Sequence, residues 1–492
     1  MSSKVRVLSV THVLADQTIC PAAAAPNAGC DVVKLSFFDT IFISQRPTQR
    51  LFFYEGPDLP PFPELVRSLQ SSLAATLAVF PPLTGKLTYR PSSDDIVIDC
   101  SLAAVSPGVK FIEAEYEYDD DSAGGVNMHR LAADDEHHSE AFMQLVPELE
   151  VQCLPAPVLA VQVTRPATAA SAGGGDGGGG GAVVAVGVSF HHVAGDGQAI
   201  WQFMKAWSTE SRKVSPAASR TGVISLPSAT TFDRPALFRH LKGDELARKF
   251  LREVAPSLPL VDYPSPVPDV TRQRRKTFLL RPNQIESLKQ QIMLARTSDE
   301  QGAMAAPTTY VAVLSLVWTS LVRAKFTSDT SGDAYFLFPA DCRRRLRPPV
   351  DNGYFGNCIK VCQARALVAD LRAGGDGRQL GHAAAALQKA IREQLVGDDL
   401  LADVERWGHG IEVKVPEERV ALAASSHRFM AYETDFGWGA PRRMELVSVY
   451  RMELVALVAA PVGGVQVSMA LDGTHMDAFE CYFLQALTAS HH

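Results

Sequence analysis

The chain has 492 residues, of which 46% are hydrophobic and 21% charged, and its formal net charge is −7. That composition is globular and large enough for about two or three domains. The acidic balance, without any basic stretch interleaved with aromatics, excludes a nucleic-acid or anionic-membrane partner from the expectations, and no apolar run is long enough for a secretory signal or a bilayer span.

The first half opens with short strands. Leu51-Phe52-Phe53-Tyr54 reads as one, ended by Glu55-Gly56-Pro57. Val66, Leu69, Leu73 and Leu77 recur at helical steps, and Pro81-Pro82 stops that helix. Ile96-Val97-Ile98 is a further strand. Phe111 to Tyr118 alternates strictly, with Glu113, Glu115 and Glu117 on one side, and predicts a half-exposed strand whose carboxylates face solvent. Asp134-Asp135-Glu136-His137-His138 reads as an exposed acidic loop rather than a metal site, because its ligands lack the spacing of a regular element.

Two strand-like runs, Val158 to Thr164 and Ala182 to Phe190, flank a segment of almost pure Ala and Gly from Ala167 to Gly181. No Lys-Ser/Thr follows those glycines, so the segment predicts a long hairpin loop and not a phosphate cradle. Val214 to Pro268, rich in Pro and Ser and broken by a charged helix near Asp244 to Val254, reads as a crossover between two halves.

In the second half, Thr308 to Lys325 predicts a helix and Tyr335 to Pro339 a strand leading into Asp341-Cys342-Arg343-Arg344-Arg345. Gly381 to Val396 is an Ala-rich helix. Leu446 to Ala459 and Gly464 to Ala470 read as a hairpin turning at Pro461-Val462-Gly463-Gly464. The eight cysteines (Cys20, Cys30, Cys100, Cys153, Cys342, Cys358, Cys362 and Cys481) form no C-x-x-C pair. They suit reduced, mostly buried thiols in a cytoplasmic protein, with no metal site.

His-x-x-x-Asp occurs three times, at His12/Asp16, His192/Asp196 and His240/Asp244. Context separates them. His12 has no strand-to-turn setting, and His240 lies in the charged crossover helix. His192 follows the apolar, β-rich run Val183 to Phe190 and precedes Gly195-Asp196-Gly197, a tight-turn signal. A buried strand thus delivers an imidazole to a sharp loop, where the backbone can hold it at a cleft. Imidazole accepts a proton near neutral pH, which suits a general base acting on a hydroxyl. Asp196 is either the orienter of that base or an ion that shapes the loop. The turn setting favours the second. No Gly-x-Ser-x-Gly nucleophile elbow is present.

The double-His form His191-His192-Val193-Ala194-Gly195-Asp196-Gly197 resembles the motif of the plant BAHD acyltransferases. Asp435-Phe436-Gly437-Trp438-Gly439 resembles the family's other signature, and Asp341 to Pro349, Tyr354 to Cys358 and Phe80 to Leu87 resemble its anthocyanin and phenolic-glucoside branch. The resemblance spans the chain. It implies an α/β fold of two chloramphenicol-acetyltransferase-like domains, mixed sheets with flanking helices and a solvent channel between them. It places residues 1–213 in the first domain, 214–268 in the crossover and 269–492 in the second. It further implies a monomer that takes acyl-CoA as a co-substrate, with no bound cofactor, and a small phenolic acceptor. His192 is then the base. Asp196 points away from substrate to an arginine, Arg343 first and Arg345 second, and Gly197 and the loop Asp435, Phe436, Gly437, Trp438 and Gly439 are structural.

Malonyl is the donor that the branch favours. Its free carboxylate calls for a cation, yet Gln198 follows Asp196-Gly197 and the next basic residue is Lys205. A hydroxycinnamoyl donor needs no cation, and the acceptor then is a glycoside hydroxyl or an amine. A condensation enzyme that works on carrier proteins shares the double His but not the Asp435 loop. A catalytically silent ligand-binding paralogue is the remaining class, against which intact His192 and Asp196 stand.

Overall fold

The computed structural model describes residues 4–18, 31–117, 126–167, 182–232, 234, 237, 242–263, 269, 271–295, 305–373, 377–397, 400–407, 416–450 and 454–488, less 215–229. The glycine-rich segment 168–181, His240 and about half of the crossover, including 215–229 and 264–268, lie outside them.

Three sheets organise the chain. The first holds six strands in the spatial order Val5–Val13, Val109–Tyr116, Leu159–Pro166, Ala182–Phe190, Thr48–Gly56 and Arg443–Leu446. Only Val109–Tyr116 and Leu159–Pro166 run parallel, so the sheet is mixed. The second holds seven, in the order Ile359–Leu367, Asp333–Asp341, Val420–Ala423, Leu454–Ala459, Val465–Asp472, Gln273–Leu280 and Glu136–His137. A small four-stranded sheet of Val32–Lys34, Asp95–Asp99, Lys86–Arg90 and Ala156–Pro157 covers part of the first half.

Each large sheet therefore ends on a strand taken from the other half of the chain. Arg443–Leu446 pairs antiparallel with Thr48–Gly56, Met444 facing Phe52, while Glu136–His137 pairs with Gln273–Leu280. Leu446 ends that separate strand. The hairpin expected from Leu446 onward begins only at Leu454, after the short 3-10 turn Val447–Tyr450. Its second strand, Val465–Asp472, pairs antiparallel across the 461–463 turn. One apolar run serves two sheets, which hydropathy alone does not reveal.

The helices form where periodicity and stop signals put them. Phe62–Val79 buries Leu65, Val66, Leu69, Leu73 and Leu77 against Gly197–Val214. Thr309–Lys325 is apolar nearly all round and buried accordingly, between Arg378–Leu395 and Gly473–Thr488. The Thr308 side chain caps it by accepting from Val311 N. The charged crossover helix Gly243–Val254 buries Leu246, Ala247, Phe250 and Leu251 and keeps its charges outside.

Two expected surfaces are interior. Glu115 does not face solvent: it is 3% exposed and clamped by Arg6 and by Arg165 at 2.6 Å. Neighbouring strands flank Val109–Tyr116 on both sides, and these long arginines close over its carboxylate. His137 leaves the exposed acidic loop and is 6% exposed. Strand pairing turns it inward onto Thr277, Arg443 and Glu445. Of the described cysteines, Cys342, Cys358 and Cys362 are buried, Cys100 is intermediate, and Cys153 and Cys481 are exposed.

Candidate active site

The strand Ala182–Phe190 is buried from Val183 onward, between two antiparallel neighbours. Its ladder ends at Phe190, and the chain turns at once into the 3-10 segment His192–Ala194. The His191 Nδ1 accepts from Val193 N at 3.3 Å and braces the turn. His191 is 1% exposed, and burial with His192 beside it lowers its pKa to about 3. It stays neutral and structural. His192 is the half-buried member of the pair, its ring stacked on Phe42 with centroids 4.0 Å apart.

Asn357 fixes the main chain of this turn. Its Nδ2 donates to His192 O at 3.0 Å and to Val193 O at 3.2 Å. It also meets Asp39 Oδ1 at 2.9 Å, and Asn357 N donates to the same oxygen at 3.1 Å. Asp39 is fully buried and takes Arg234 Nε at 3.0 Å and Ser36 N at 2.8 Å on its other oxygen. The carbonyls behind the imidazole are thus held by a chain of groups from three distant segments.

Asp196 is 1% exposed and caps the helix Gly197–Val214. Its Oδ1 accepts from Ala199 N and from Arg343 Nη2, both at 3.1 Å. Its Oδ2 accepts from Arg343 Nη1 at 2.8 Å and from Cys358 N at 3.0 Å. Arg343 is fully buried and also donates to Gly356 O at 2.9 Å. Burial alone lowers the Arg343 pKa, but the Asp196 charge and hydrogen bonds outweigh it and raise the net value. Arg345 is exposed and turns back to Asp341 O instead. The Asp196 carboxylate has no lone pair to spare for the His192 ring, so the two do not form a relay.

Burial lowers the His192 pKa below the usual 6.5, and the Arg50 charge adds to this. Its own backbone, the Asp196 charge and the Asn357 side chain oppose the shift in part. The ring is therefore neutral at physiological pH, the form a proton acceptor requires.

The Asp435 loop sits on the back of the same helix. Asp435 Oδ1 accepts from Gly437 N, Trp438 N and Gly439 N at 2.7, 3.1 and 2.9 Å. The coil this demands takes Gly437 and Gly439 to φ of +106° and +93°, which side chains disfavour. Phe436 is fully buried, 4.9 Å from the Trp207 ring, and its carbonyl accepts from Ser211 Oγ at 2.8 Å. Trp207 and Ser211 both belong to Gly197–Val214. One helix thus joins the two signatures: its N-terminus carries Asp196 and its far side holds Phe436. At Gly197 the second half leaves no room for a side chain, since a Cβ there would stand 2.7 Å from the Phe429 ring. Gln198 and Gln202 reach Asn352 O at 3.2 and 3.0 Å.

His12 stands exposed on an edge strand. No role for Asn357, Asp39, Arg234 or Arg50 follows from the sequence alone. Only Asn357 carried a signal, as part of the quoted Tyr354 to Cys358 stretch. Among the described residues no cluster of three His, Cys, Asp or Glu could hold a metal ion, and no helix is long and apolar enough to cross a membrane.

The profile of the Transferase family matches residues 8–485. The chain is 29% identical to malonyl-coenzyme:anthocyanin 5-O-glucoside-6'''-O-malonyltransferase of Salvia splendens, over 96% of this chain and 95% of the relative. It is also 29% identical to phenolic glucoside malonyltransferase 1 of Bemisia tabaci, over 99% and 98%. Among solved structures, vinorine synthase superposes with a TM-score of 0.67 at 18% identity, covering 98% of both chains. The mixed sheets with flanking helices are the chloramphenicol-acetyltransferase-like fold in two parts. The chain belongs to the Transferase family, the BAHD acyltransferases that use acyl-CoA.

Proposed function

We propose that this acyltransferase moves an acyl group, malonyl in the favoured reading, from acyl-CoA to a hydroxyl of a phenolic or flavonoid/anthocyanin glucoside, with His192 as general base. The observation that carries the mechanism is the placement of the His192 imidazole on a turn whose carbonyls Asn357 fixes and whose neighbouring carboxylate is fully engaged elsewhere, with burial lowering its pKa. His192 takes the acceptor's hydroxyl proton while that oxygen attacks the thioester carbonyl. The tetrahedral intermediate then collapses, the C–S bond breaks, and the CoA thiolate takes the proton from His192. No acyl-enzyme forms. In this reading donor and acceptor reach His192 through opposite mouths of a channel between domains 1–213 and 269–492, joined by the crossover 214–268, in a cytoplasmic monomer.

The donor assignment rests on the two malonyltransferase relatives and on their shared length. A hydroxycinnamoyl donor is the second reading, transferred to a glycoside hydroxyl or an amine. The aromatic surroundings favour it: Phe42 stacks on His192, and Trp201 faces Phe429 at 6.2 Å. The test is free-CoA release from malonyl-, acetyl- and coumaroyl-CoA with an anthocyanin glucoside, a flavonol glucoside and an amine acceptor. Turnover restricted to coumaroyl-CoA replaces the first reading by the second. Silence with every pair sinks both.

A further inference from the structure

Five arginines are buried among the described residues, and four of them have a carboxylate. Arg234 pairs with Asp39, Arg343 with Asp196, and Arg275 and Arg443 with Glu445. Arg50 is the exception. It is 5% exposed, its Nη1 donates only to Thr48 Oγ1 at 3.3 Å, and its buried Nε has no partner. Burial without a counter-charge lowers its pKa to about 9. A desolvated guanidinium is costly unless an anion meets it. Its neighbours here are two rings, Phe190 at 5.7 Å and Trp201 at 5.6 Å from its central carbon. Cation–π contact offsets part of that cost but leaves the donors unfilled.

Position makes the missing anion informative. Phe190 is two residues from His192, and Trp201 stands on the helix that Asp196 caps. The Arg50 charge reaches the His192 ring. Trp201 in turn faces Phe429 of the second half, so Arg50 lies by the seam where the halves meet. Gln198 supplies no cation, and Arg50 is a cation without an anion at the same site.

We propose that Arg50 is the counter-ion for the free carboxylate of a dicarboxylic acyl donor, malonyl-CoA, and so the residue that selects it over a neutral acyl group. The inference rests on the malonyl reading above. A guanidinium fork fits a carboxylate through two parallel hydrogen bonds. Pairing also removes the positive charge that His192 feels, so the matching donor makes the base stronger as it binds.

The test compares Arg50→Gln and Arg50→Lys with the parent chain, using malonyl-CoA and acetyl-CoA and one phenolic glucoside. Arg50→Gln is expected to lower the malonyl-to-acetyl ratio of kcat/KM by about 10²-fold, mostly through the malonyl-CoA KM. Arg50→Lys should recover part of that ratio. Its melting temperature should hold or rise in Arg50→Gln, because an unpaired buried charge is removed. Equal losses with both donors, together with a lower melting temperature, mean a structural arginine and overturn the proposal. A parent enzyme that uses malonyl-CoA while Arg50→Gln keeps its ratio within threefold overturns the Arg50 assignment alone. A parent enzyme inert with malonyl-CoA overturns the malonyl reading and the assignment together.

Discussion

Asp196 and Arg343, 147 residues apart in sequence, meet through two hydrogen bonds of 2.8 and 3.1 Å inside the protein. Two backbone N–H groups fill the remaining positions of the carboxylate. Breaking a buried pair of this kind costs about 3–5 kcal/mol, because the survivor is left charged and unpaired. Arg343→Ala is therefore expected to lower the melting temperature sharply and to lose activity with the folded fraction. Asp196→Asn should show a milder form of both effects. Thermal unfolding beside CoA release checks this. Full stability with no activity in Asp196→Asn contradicts a structural Asp196.

His192→Ala should leave the melting temperature nearly unchanged and lower kcat by about 10²- to 10⁴-fold, the range for loss of a general base. The pH profile of the parent enzyme carries a second signature. The His192 pKa is lowered from 6.5 by burial, so the neutral form already dominates at neutrality. kcat/KM is expected to rise with pH through a midpoint below 6.5 and to be level by pH 7. A midpoint above 6.5 contradicts the burial argument.

Gly439 tests the Asp435 coil by itself. A Cβ there would meet no atom within 4 Å, so only the backbone resists substitution, at φ +93°. Gly439→Ala should cost about 1–2 kcal/mol, read from denaturant unfolding, with KM for the acceptor little changed. A stable variant with a large rise in acceptor KM would instead make the loop part of the binding surface.

Acid should weaken the fold through His137. Burial lowers its pKa to about 3, with Glu445 opposing and Arg443 and Arg275 reinforcing the shift. The unfolded chain binds the proton first, so this stability is complete above pH 6.5 and is lost as pH falls toward 3. Glu445 adds to the loss at lower pH. Burial alone raises its pKa, but His137, Arg275 and Arg443 hold it at about 2, so its share is lost between about 4.5 and 2. Melting temperature should decline from pH 6.5 downward, and His137→Gln should flatten the upper part of that decline. It should not abolish it, because His191 is also buried neutral.

Local pattern made the helices and most strands legible, because a stripe such as Leu69, Leu73 and Leu77 needs only the chain's own period. His192 was legible for the same reason: its strand and its turn are adjacent in sequence. The support of the site was not. Asn357 holds the carbonyl of His192 from 165 residues away and Asp39 from 318, and no local rule links them. His137 and Glu115 misled because an acidic neighbourhood predicts exposure, while strand pairing decided burial. Arg50 immediately precedes the apolar run Leu51 to Tyr54, whose hydropathy conceals the one charge at its edge.

The traded edge strands bear on the order in which the protein can be made. Thr48–Gly56 emerges from the ribosome long before its partner Arg443–Leu446 is synthesised. During translation the first sheet therefore presents an open row of backbone N–H and C=O groups, the usual template for association with another chain. The same exchange means that neither half can be expressed alone with its sheet complete. A nick in the crossover should leave two fragments that stay together until denatured.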